Sequence, residues 1–336
     1  MGGEMENYRP ADRFAKSAKE QSGNIMEQTF AKQNPSPDGR SSRLKSFVLA
    51  TVVLGLCFSV PLYGLIRFAA GSELYSYILL VPFISLYLVW LNRRSLPPGS
   101  RPACKAAAGF LTAGTVLIIA YWFVLHPRLK LVEDDYLAVM MVSFLLFFYG
   151  AGCLFLGREI LRAAAFPLGF LIFMAPIPAF LMRGIDVFLQ YGSAVVARGF
   201  FKLSGTPLFE NGLVFQLPGI TIQIAPECSG IHSSLVLFIT SLLASYVFLR
   251  TPWKRAVFIL AVIPLGILRN GFRVFTIGEL CVHLGPQMIN SPIHRKGGPI
   301  FFVLSLIPLF ILLVVLQKSE RAGGESKPKT SGIKHA

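Results

Sequence analysis

Runs of about twenty apolar residues recur along this chain and constrain its fold more than any other feature. The hydrocarbon core of a bilayer is about 30 Å thick, so a helix needs about 20 apolar residues to cross it. Eight runs come close to that length: about 46–66, 74–92, 106–125, 136–156, 163–182, 230–249, 256–281 and 298–317. The sequence therefore predicts an all-α polytopic membrane protein with about eight transmembrane helices.

Composition and charge agree with a membrane protein. Of the 336 residues, 54% are hydrophobic and only 15% are charged, which is more apolar than a typical soluble domain. A net charge of +15 also occurs in nucleic-acid-binding proteins, but here the basic residues fall in short clusters between apolar runs. Because membrane topology is encoded by such clusters, we expect a lipid bilayer, and no nucleic acid, as a partner.

The basic loops predict an orientation. The segments "NRRSLPPGSRPACK", "GRE" and "RTPWKR" follow the second, fourth and sixth runs, so eight spans place all three on one side. The positive-inside rule then puts both termini in the cytoplasm. We predict a disordered cytoplasmic tail over 1–45, a transmembrane domain over 46–317 and a second cytoplasmic tail over 318–336.

One segment, about 183–229, interrupts the series of spans and is expected on the outer face. Its first part has apolar residues at helical spacing with charged residues between them, which favours an amphipathic helix in the membrane interface. Its second part contains "LVFQL" and "ITIQIA", two short strand patterns joined at Pro218-Gly219, which predict a small β-hairpin. A structureless loop is the alternative.

Polar residues next to three different spans are predicted to converge at the outer face. Cys228 precedes the sixth run, Arg269, Asn270 and Arg273 lie within the seventh, and His294 precedes the eighth. A cation, an imidazole and a helix N-terminus each lower the pKa of a thiol and make it a better nucleophile.

Simpler interpretations of these residues remain open. Cys228 is also compatible with a packing residue, His294 with a lipid headgroup contact, and Arg273 with an ion pair to Glu227 or Glu279. A disulfide between Cys228 and Cys281 would remove the nucleophile. None of the five cysteines has CxxC spacing, so the sequence indicates no metal site, and we expect no cofactor.

The stretches "APECSGIHSSLVLF", "RNGFRV" and "SPIHRKGG" resemble three motif blocks of exosortases and archaeosortases. These are polytopic membrane proteins of prokaryotic cytoplasmic (plasma) membranes, regarded as cysteine transpeptidases that process C-terminal sorting signals. The resemblance covers about 46–317 and includes the "APIP" element at 175–178. It implies that Cys228 is the nucleophile, that Arg273 stabilises charge and that His294 is the acid and base.

The resemblance also implies substrates and secondary residues. Substrates would be exported proteins with a short C-terminal motif, a transmembrane helix and a basic tail, cleaved at the outer membrane surface through a thioester. Supporting or substrate-binding roles are expected for Glu227, Ser229, Gly230, His232, Arg269 and Asn270. Ser229 or Gly230 would offer backbone N–H groups to an oxyanion. His232 stands where many relatives have Arg, and its role is left open between a substrate contact and a buried helix residue.

Two other functions use the same scaffold. A transporter would carry polar residues near the bilayer midplane and an inverted repeat, whereas here the polar groups collect at one face. A non-catalytic assembly factor for surface polysaccharide or protein export would leave Cys228 structural. The oligomeric state is not predicted.

Overall fold

Two units make up the fold, one ending at Ile177 and the other beginning at Pro178. The computed structural model describes residues 37–97, 101–125, 133–224, 230–290 and 298–325. Helices long and apolar enough to cross a bilayer are Cys104–Phe123, Glu133–Phe155, Ile231–Phe248, Pro252–Leu284 and Ile300–Ala322. Two bent helix pairs raise these 5 spans to as many as 7, and Ser76–Leu91 is a shorter apolar helix. The chain is therefore a mostly helical polytopic membrane protein, while eight full spans are not shown.

The first unit consists of helices and short connections, with no strand among its described residues. Its elements are α1 (Pro37–Cys57), α2 (Ser59–Gly71), a 3-10 turn (Ser76–Leu80), α3 (Val81–Leu91), a 3-10 turn (Arg93–Ser95), α4 (Cys104–Ala120), a π turn (Tyr121–Leu125), α5 (Glu133–Phe155), α6 (Arg158–Ala163), α7 (Ala165–Phe170) and a 3-10 turn (Leu171–Met174). Helix α5 packs against α1, α2 and α4. It buries Leu137, Met141 and Leu145 almost completely, so it forms the centre of this unit.

The first predicted span, about 46–66, is not one straight helix. Helices α1 and α2 meet at Phe58 with a bend of 73°. Pro61 lies in the first turn of α2, and a proline has no N–H to donate to the carbonyl four residues earlier. The bend therefore follows from a proline inside an apolar run.

The fifth predicted span, about 163–182, is wrong as a single helix. Helix α7 ends at Phe170, the 3-10 turn ends at Met174, and the next helix begins only at Ala179. Between them lies "APIP", in which Ala175 precedes a proline and has the extended backbone that this position favours. Two closely spaced prolines thus end one helix and start another inside one hydrophobic run.

The second unit contains the other elements. They are α8 (Ala179–Ser204), β1 (Phe209–Asn211), β2 (Val214–Leu217), β3 (Ile220–Gln223), α9 (Ile231–Phe248), α10 (Pro252–Leu260), α11 (Val262–Leu284), a 3-10 turn (Pro286–Asn290) and α12 (Gly298–Glu325). The seventh predicted run covers both α10 and α11, which meet at Ala261. Pro264 follows in the first turn of α11, where it cannot donate to a carbonyl of α10.

Helix α8 packs along α11, and the two helices run parallel. Gly192 of α8 lies against Ile267, Val196 against Gly271, and Phe201 against Gly278, so the contacts advance in the same direction on both helices. Gly271 has so little space that a Cβ there would lie 2.5 Å from Cγ1 of Val196. The interfacial helix expected at the start of the 183–229 segment is therefore a 26-residue helix with an extensive helical partner.

Three antiparallel strands follow α8, in the order β1-β2-β3. The predicted hairpin is present as β2 and β3, joined at Pro218-Gly219 with the positive φ of +81° that a type II turn requires of its glycine. Phe215, Leu217 and Ile222 of this sheet are buried with Phe201 and Val274. The sheet therefore covers the C-terminal halves of α8 and α11.

Candidate active site at the N-terminus of helix α9

Arg269 of α11 is buried and reaches the first turn of α9. Its Nη2 donates hydrogen bonds of 3.1 Å to the carbonyl oxygen of Gly230 and of 3.1 Å to Oγ of Ser234. Only 7% of the residue is exposed. Because an arginine in a membrane span costs at least about 2.5–3.5 kcal/mol, we expected it to face protein, and it does.

Gly230 is the residue that Arg269 holds, and its backbone excludes most other residues. It caps the N-terminus of α9 with φ +72° and ψ 18°, in the left-handed region. A Cβ at this position would lie 2.9 Å from Oδ1 of Asn270 and 3.1 Å from Nη2 of Arg269. The glycine therefore allows both the conformation and the close approach of α11.

Asn270 connects the same region to α8. Its Nδ2 donates a hydrogen bond of 3.0 Å to Oγ of Ser193, and the two residues are 2% and 0% exposed. Three helices, α8, α9 and α11, thus meet through polar groups of the buried Ser193, Arg269 and Asn270 and of the half-buried Gly230. The two neighbours of the "RN" pair therefore contact different helices: Arg269 contacts α9 and Asn270 contacts α8.

The remaining predicted residues of the described chain lie close by in sequence but differ in environment. Arg273, one helical turn after Arg269, is half-buried. His232, in the first turn of α9, is exposed, so the interpretation of it as a buried helix residue is wrong. Glu279, considered as a partner of Arg273, accepts hydrogen bonds from Oγ of Ser204 at 2.8 Å and from Oγ1 of Thr206 at 2.6 Å.

Four predicted residues lie outside the described part of the chain. They are Glu227, Cys228, Ser229 and His294. The predicted cluster of Cys228, Arg273 and His294, and a disulfide from Cys228 to the buried Cys281, therefore stay predictions. The structure does describe the residue that follows Cys228 by two positions, Gly230, whose carbonyl oxygen accepts a hydrogen bond from Arg269.

Sequence reasoning missed two hydroxyls of the site, those of Ser193 and Ser234. Ser193 belongs to a series in α8, Asp186, Gln190 and Ser193, whose spacing of four and three residues places polar groups on one helical face. Gln190 is 5% exposed, and Oδ1 of Asp186 is buried without a hydrogen-bond partner among the described residues. That polar spacing in an apolar helix was the available signal that this face meets another helix.

The electrostatics of the site favour an anion. Arg269 lies at the N-terminal end of the 18-residue helix α9, where the helix dipole is equivalent to about half a positive charge. Within the described ranges the ion pairs join Arg198 to Glu210 and His283 to Glu279, and neither includes Arg269. A buried cation at a helix N-terminus, with no carboxylate beside it in these ranges, stabilises a negative charge there.

A metal centre has no support in the described residues. They contain no group of three or more His, Cys, Asp or Glu side chains able to hold a metal ion. The groups at the start of α9 are the guanidinium of Arg269 and the hydroxyl of Ser234, which are donors suited to an oxyanion or a thiolate.

An apolar cavity of about 630 Å³ lies in the first unit. Its walls come mainly from α1, α3, α5, α6 and α7, and include Phe47, Leu86, Phe148 and Leu168. The hydroxyls of Ser85 and Tyr149 also line it, but they donate hydrogen bonds to the backbone carbonyls of Pro167 and Leu168 at 2.8 and 2.7 Å. The cavity is suited to holding apolar groups and carries no evident nucleophile.

Comparison with known proteins gives one match. A sequence model described as transmembrane exosortase (Exosortase_EpsH) matches residues 67–311, which is more than half of the chain. No curated protein and no solved structure matches.

Proposed function

This chain belongs to the transmembrane exosortase family, and from that premise we propose that it is a membrane-embedded cysteine transpeptidase. It cleaves the C-terminal sorting signals of exported proteins near the outer surface of the cytoplasmic membrane. The observation that carries this proposal is the family match, because residues 67–311 include Cys228, Arg273 and His294. The anion-favouring end of α9, two residues after Cys228, supports it independently.

The reaction has two stages. The thiolate of Cys228 attacks a backbone carbonyl of the sorting signal, and Arg273 stabilises the oxyanion that forms. His294 then donates a proton to the leaving amine as the C–N bond breaks, which leaves a thioester between substrate and enzyme. An acceptor amine or water then attacks the thioester and gives a proton to His294, which has become neutral, while the sulfur of Cys228 leaves as thiolate.

The substrates are exported proteins with a C-terminal motif, one transmembrane helix and a basic tail. Such a helix docks among the spans of the enzyme in the bilayer and presents its outer flank to Cys228. In this arrangement both termini of the enzyme are cytoplasmic and the active site is on the outer face.

Substitution of Cys228 tests the proposal. In a strain lacking the native gene, a reporter carrying a sorting signal encoded by the same genome is expressed together with the wild-type or the Cys228→Ala enzyme. We expect cleavage only with the wild type, measured as a new reporter C-terminus by mass spectrometry. Arg273→Ala and His294→Ala should lose at least a hundredfold in cleavage rate, as expected for oxyanion and acid–base groups.

Cys104→Ala is the matched control, because Cys104 is an exposed cysteine at the start of α4. It should cleave the reporter at the wild-type rate. Normal maturation of the reporter by the Cys228→Ala protein would contradict the transpeptidase and favour the non-catalytic assembly factor. A hydroxylamine-sensitive adduct between reporter and enzyme would identify the thioester directly.

A further inference from the structure

Folding alone does not explain where Arg269 lies. The residue is 7% exposed within a membrane span, and its charge lies at the positive end of the α9 dipole. A hydroxyl or an amide at this position would donate to the carbonyl of Gly230 without burying a charge. A buried cation at this position therefore needs an explanation other than the stability of the fold.

The hydrogen bonds of Arg269 leave part of the guanidinium unused. Nη2 makes the contacts to Gly230 and Ser234, while Nη1 is buried with no hydrogen-bond partner in the described part of the chain. The next cation, Arg273, lies four residues further along α11, on the same side of the helix. Among the described residues, the first turn of α9 therefore faces the positive charge of Arg269 and a buried donor, Nη1, that makes no hydrogen bond.

Chain connectivity relates this charge to the proposed nucleophile. Cys228 precedes Gly230 by two residues, so the Cα atoms of the two residues are at most about 7 Å apart in a fully extended chain. A group that fixes Gly230 therefore restricts where the thiol can go. A cation and a helix N-terminus are also two of the features that stabilise a cysteine thiolate.

We propose that Arg269 is a positioning residue for this thiol: it anchors Gly230 through Nη2, and its charge at the N-terminus of α9 holds Cys228 as a thiolate. The inference rests on the proposed transpeptidase and assigns different work to the two arginines. Arg269 positions the thiol of Cys228 and stabilises its thiolate, whereas Arg273 stabilises the oxyanion of the substrate. The planar guanidinium suits this double task because one nitrogen anchors the backbone while another remains available.

Two substitutions separate the charge from the anchor. Arg269→Gln keeps an amide donor but removes the charge, and Arg269→Lys keeps the charge but not the guanidinium fork. Both are made in a chain whose other four cysteines are alanine and which still cleaves the reporter. The rate of alkylation of Cys228 by iodoacetamide is measured against pH in detergent, without substrate.

We expect Arg269→Gln to raise the pH midpoint of alkylation by roughly one unit, a tenfold loss of thiolate below the midpoint. The alkylation midpoint of Arg269→Lys should be raised by no more than half as much as that of Arg269→Gln. The other ionisable residues on the three helices that meet here are Arg183, Asp186, Tyr191, Arg198 and Lys202 of α8, His232 and Tyr246 of α9, and Arg273, Glu279, Cys281 and His283 of α11. His232 lies in the first turn of α9, whereas His283 lies near the C-terminus of α11 beside Glu279. Repeating the titration with His232→Gln removes the imidazole two residues from Gly230, and the Arg269→Gln shift should persist.

Arg255→Gln is the matched control. Arg255 also donates to carbonyls of α9, those of Leu249 and Tyr246, but at the opposite end of the helix. We expect no change in the alkylation midpoint. Size-exclusion profiles show whether each variant is folded, and the lysine variant provides the test should the glutamine variant aggregate.

An unchanged midpoint in Arg269→Gln, or an equal shift in Arg255→Gln, would overturn the inference. Either result would mean that Arg269 only supports the fold. This outcome is distinct from failure of the transpeptidase, because alkylation requires no substrate and no turnover. A Cys228→Ala protein that still matures the reporter disproves the reaction, whatever the midpoint does.

Discussion

Helix α9 has an arginine from another part of the chain at each end, and the two differ in what the helix gains from them. At the C-terminal end, Nε of Arg255 donates to the carbonyl of Leu249 at 2.8 Å, and its guanidinium lies 5.4 Å from the ring centroid of Tyr246. A cation there satisfies unused carbonyls and opposes the negative end of the dipole, worth about 0.3–1 kcal/mol. At the N-terminal end, Arg269 makes a similar contact to Gly230, where the dipole term has the opposite sign.

The difference teaches how to separate a structural cation from a functional one. Arg255 is half-buried and explained by the helix end that it caps. Arg269 is buried and opposed by its helix end, which agrees with the thiolate proposed to lie there. The sign of the helix dipole at each end of α9 therefore distinguishes Arg255 from Arg269. In the sequence alone, both are only basic residues within or beside apolar runs.

Among substitutions that test the two ends of α9 and its packing, the largest effect is expected from Gly230→Ala. The left-handed backbone alone costs a non-glycine residue about 1–2 kcal/mol, and the new Cβ would lie 2.9 Å from Oδ1 of Asn270. Because the side chains of Asn270 and Arg269 must shift from Gly230 to admit it, reporter cleavage should fall by more than tenfold. Measuring cleavage in membranes together with the thermal midpoint in detergent tests this.

Gly205→Ala is the control for that variant. Gly205 ends α8 with φ +76°, and a Cβ there would meet nothing within 4 Å. The thermal midpoint of Gly205→Ala should fall only by the cost of a left-handed backbone at a non-glycine residue, and reporter cleavage should be unchanged. Equal losses of cleavage in the two variants would show that the contact between Gly230 and α11 has no special importance.

Gly271→Ala should have the next largest effect, this time on stability. Its Cβ would lie 2.5 Å from Cγ1 of Val196 and 3.0 Å from the carbonyl oxygen of Ser193, so α8 and α11 must move apart. Overpacking of this kind costs about 1–3 kcal/mol. We expect a lower thermal midpoint and a partial loss of cleavage, since Arg269 and Asn270 move with α11.

Gly199→Ala, in the same pair of helices, is its control. No atom lies within 4 Å of a Cβ at Gly199, and alanine favours a helix by about 0.5–1 kcal/mol over glycine. Its stability should be unchanged or slightly higher. A similar loss in both variants would argue against close packing as the cause.

Arg255→Gln should have a smaller effect, confined to stability. Loss of the cation at the C-terminus of α9 removes about 0.3–1 kcal/mol of dipole interaction, while the amide retains one donor. The thermal midpoint should fall slightly with reporter cleavage unchanged. A strong loss of cleavage would break the distinction between the two helix ends.

Ser234→Ala should have the smallest effect. It removes one of the two acceptors of Nη2 of Arg269 and leaves the carbonyl of Gly230 in place. A single hydrogen bond contributes about 0.5–1.5 kcal/mol, so cleavage should fall by no more than about tenfold. A loss equal to that of Gly230→Ala would mean that Ser234 is the main anchor of Arg269.

Local patterns predicted the strands better than the spans. The hairpin at Pro218-Gly219 is set by residues adjacent in sequence, and it forms where expected. Most of helix α8 was predicted as interfacial because charged and polar residues, among them Arg183, Asp186 and Lys202, lie between apolar residues at helical spacing. Hydropathy does not record which helix lies alongside, and α11 provides partners for the polar face of α8.

The site shows the same division. The "RN" pair was predicted from sequence because an arginine inside an apolar run is conspicuous, and Gly230 because it stands at the start of a predicted helix. Ser193 and Ser234 were missed because each gains its partner only when separate helices pack. Serine is common in apolar helices, and which serine meets Asn270 depends on the parallel packing of α8 and α11.

The parallel arrangement of α8 and α11 also governs how the protein is made. Parallel neighbours require an intervening crossover, and here the three strands, α9 and α10 are synthesised before α11. During translation the face of α8 that carries Gln190 and Ser193 has therefore left the ribosome before its partner exists. A chain truncated before Val262 would expose this face to lipid or to the insertion machinery, and we expect membrane proteases to recognise it as unfinished.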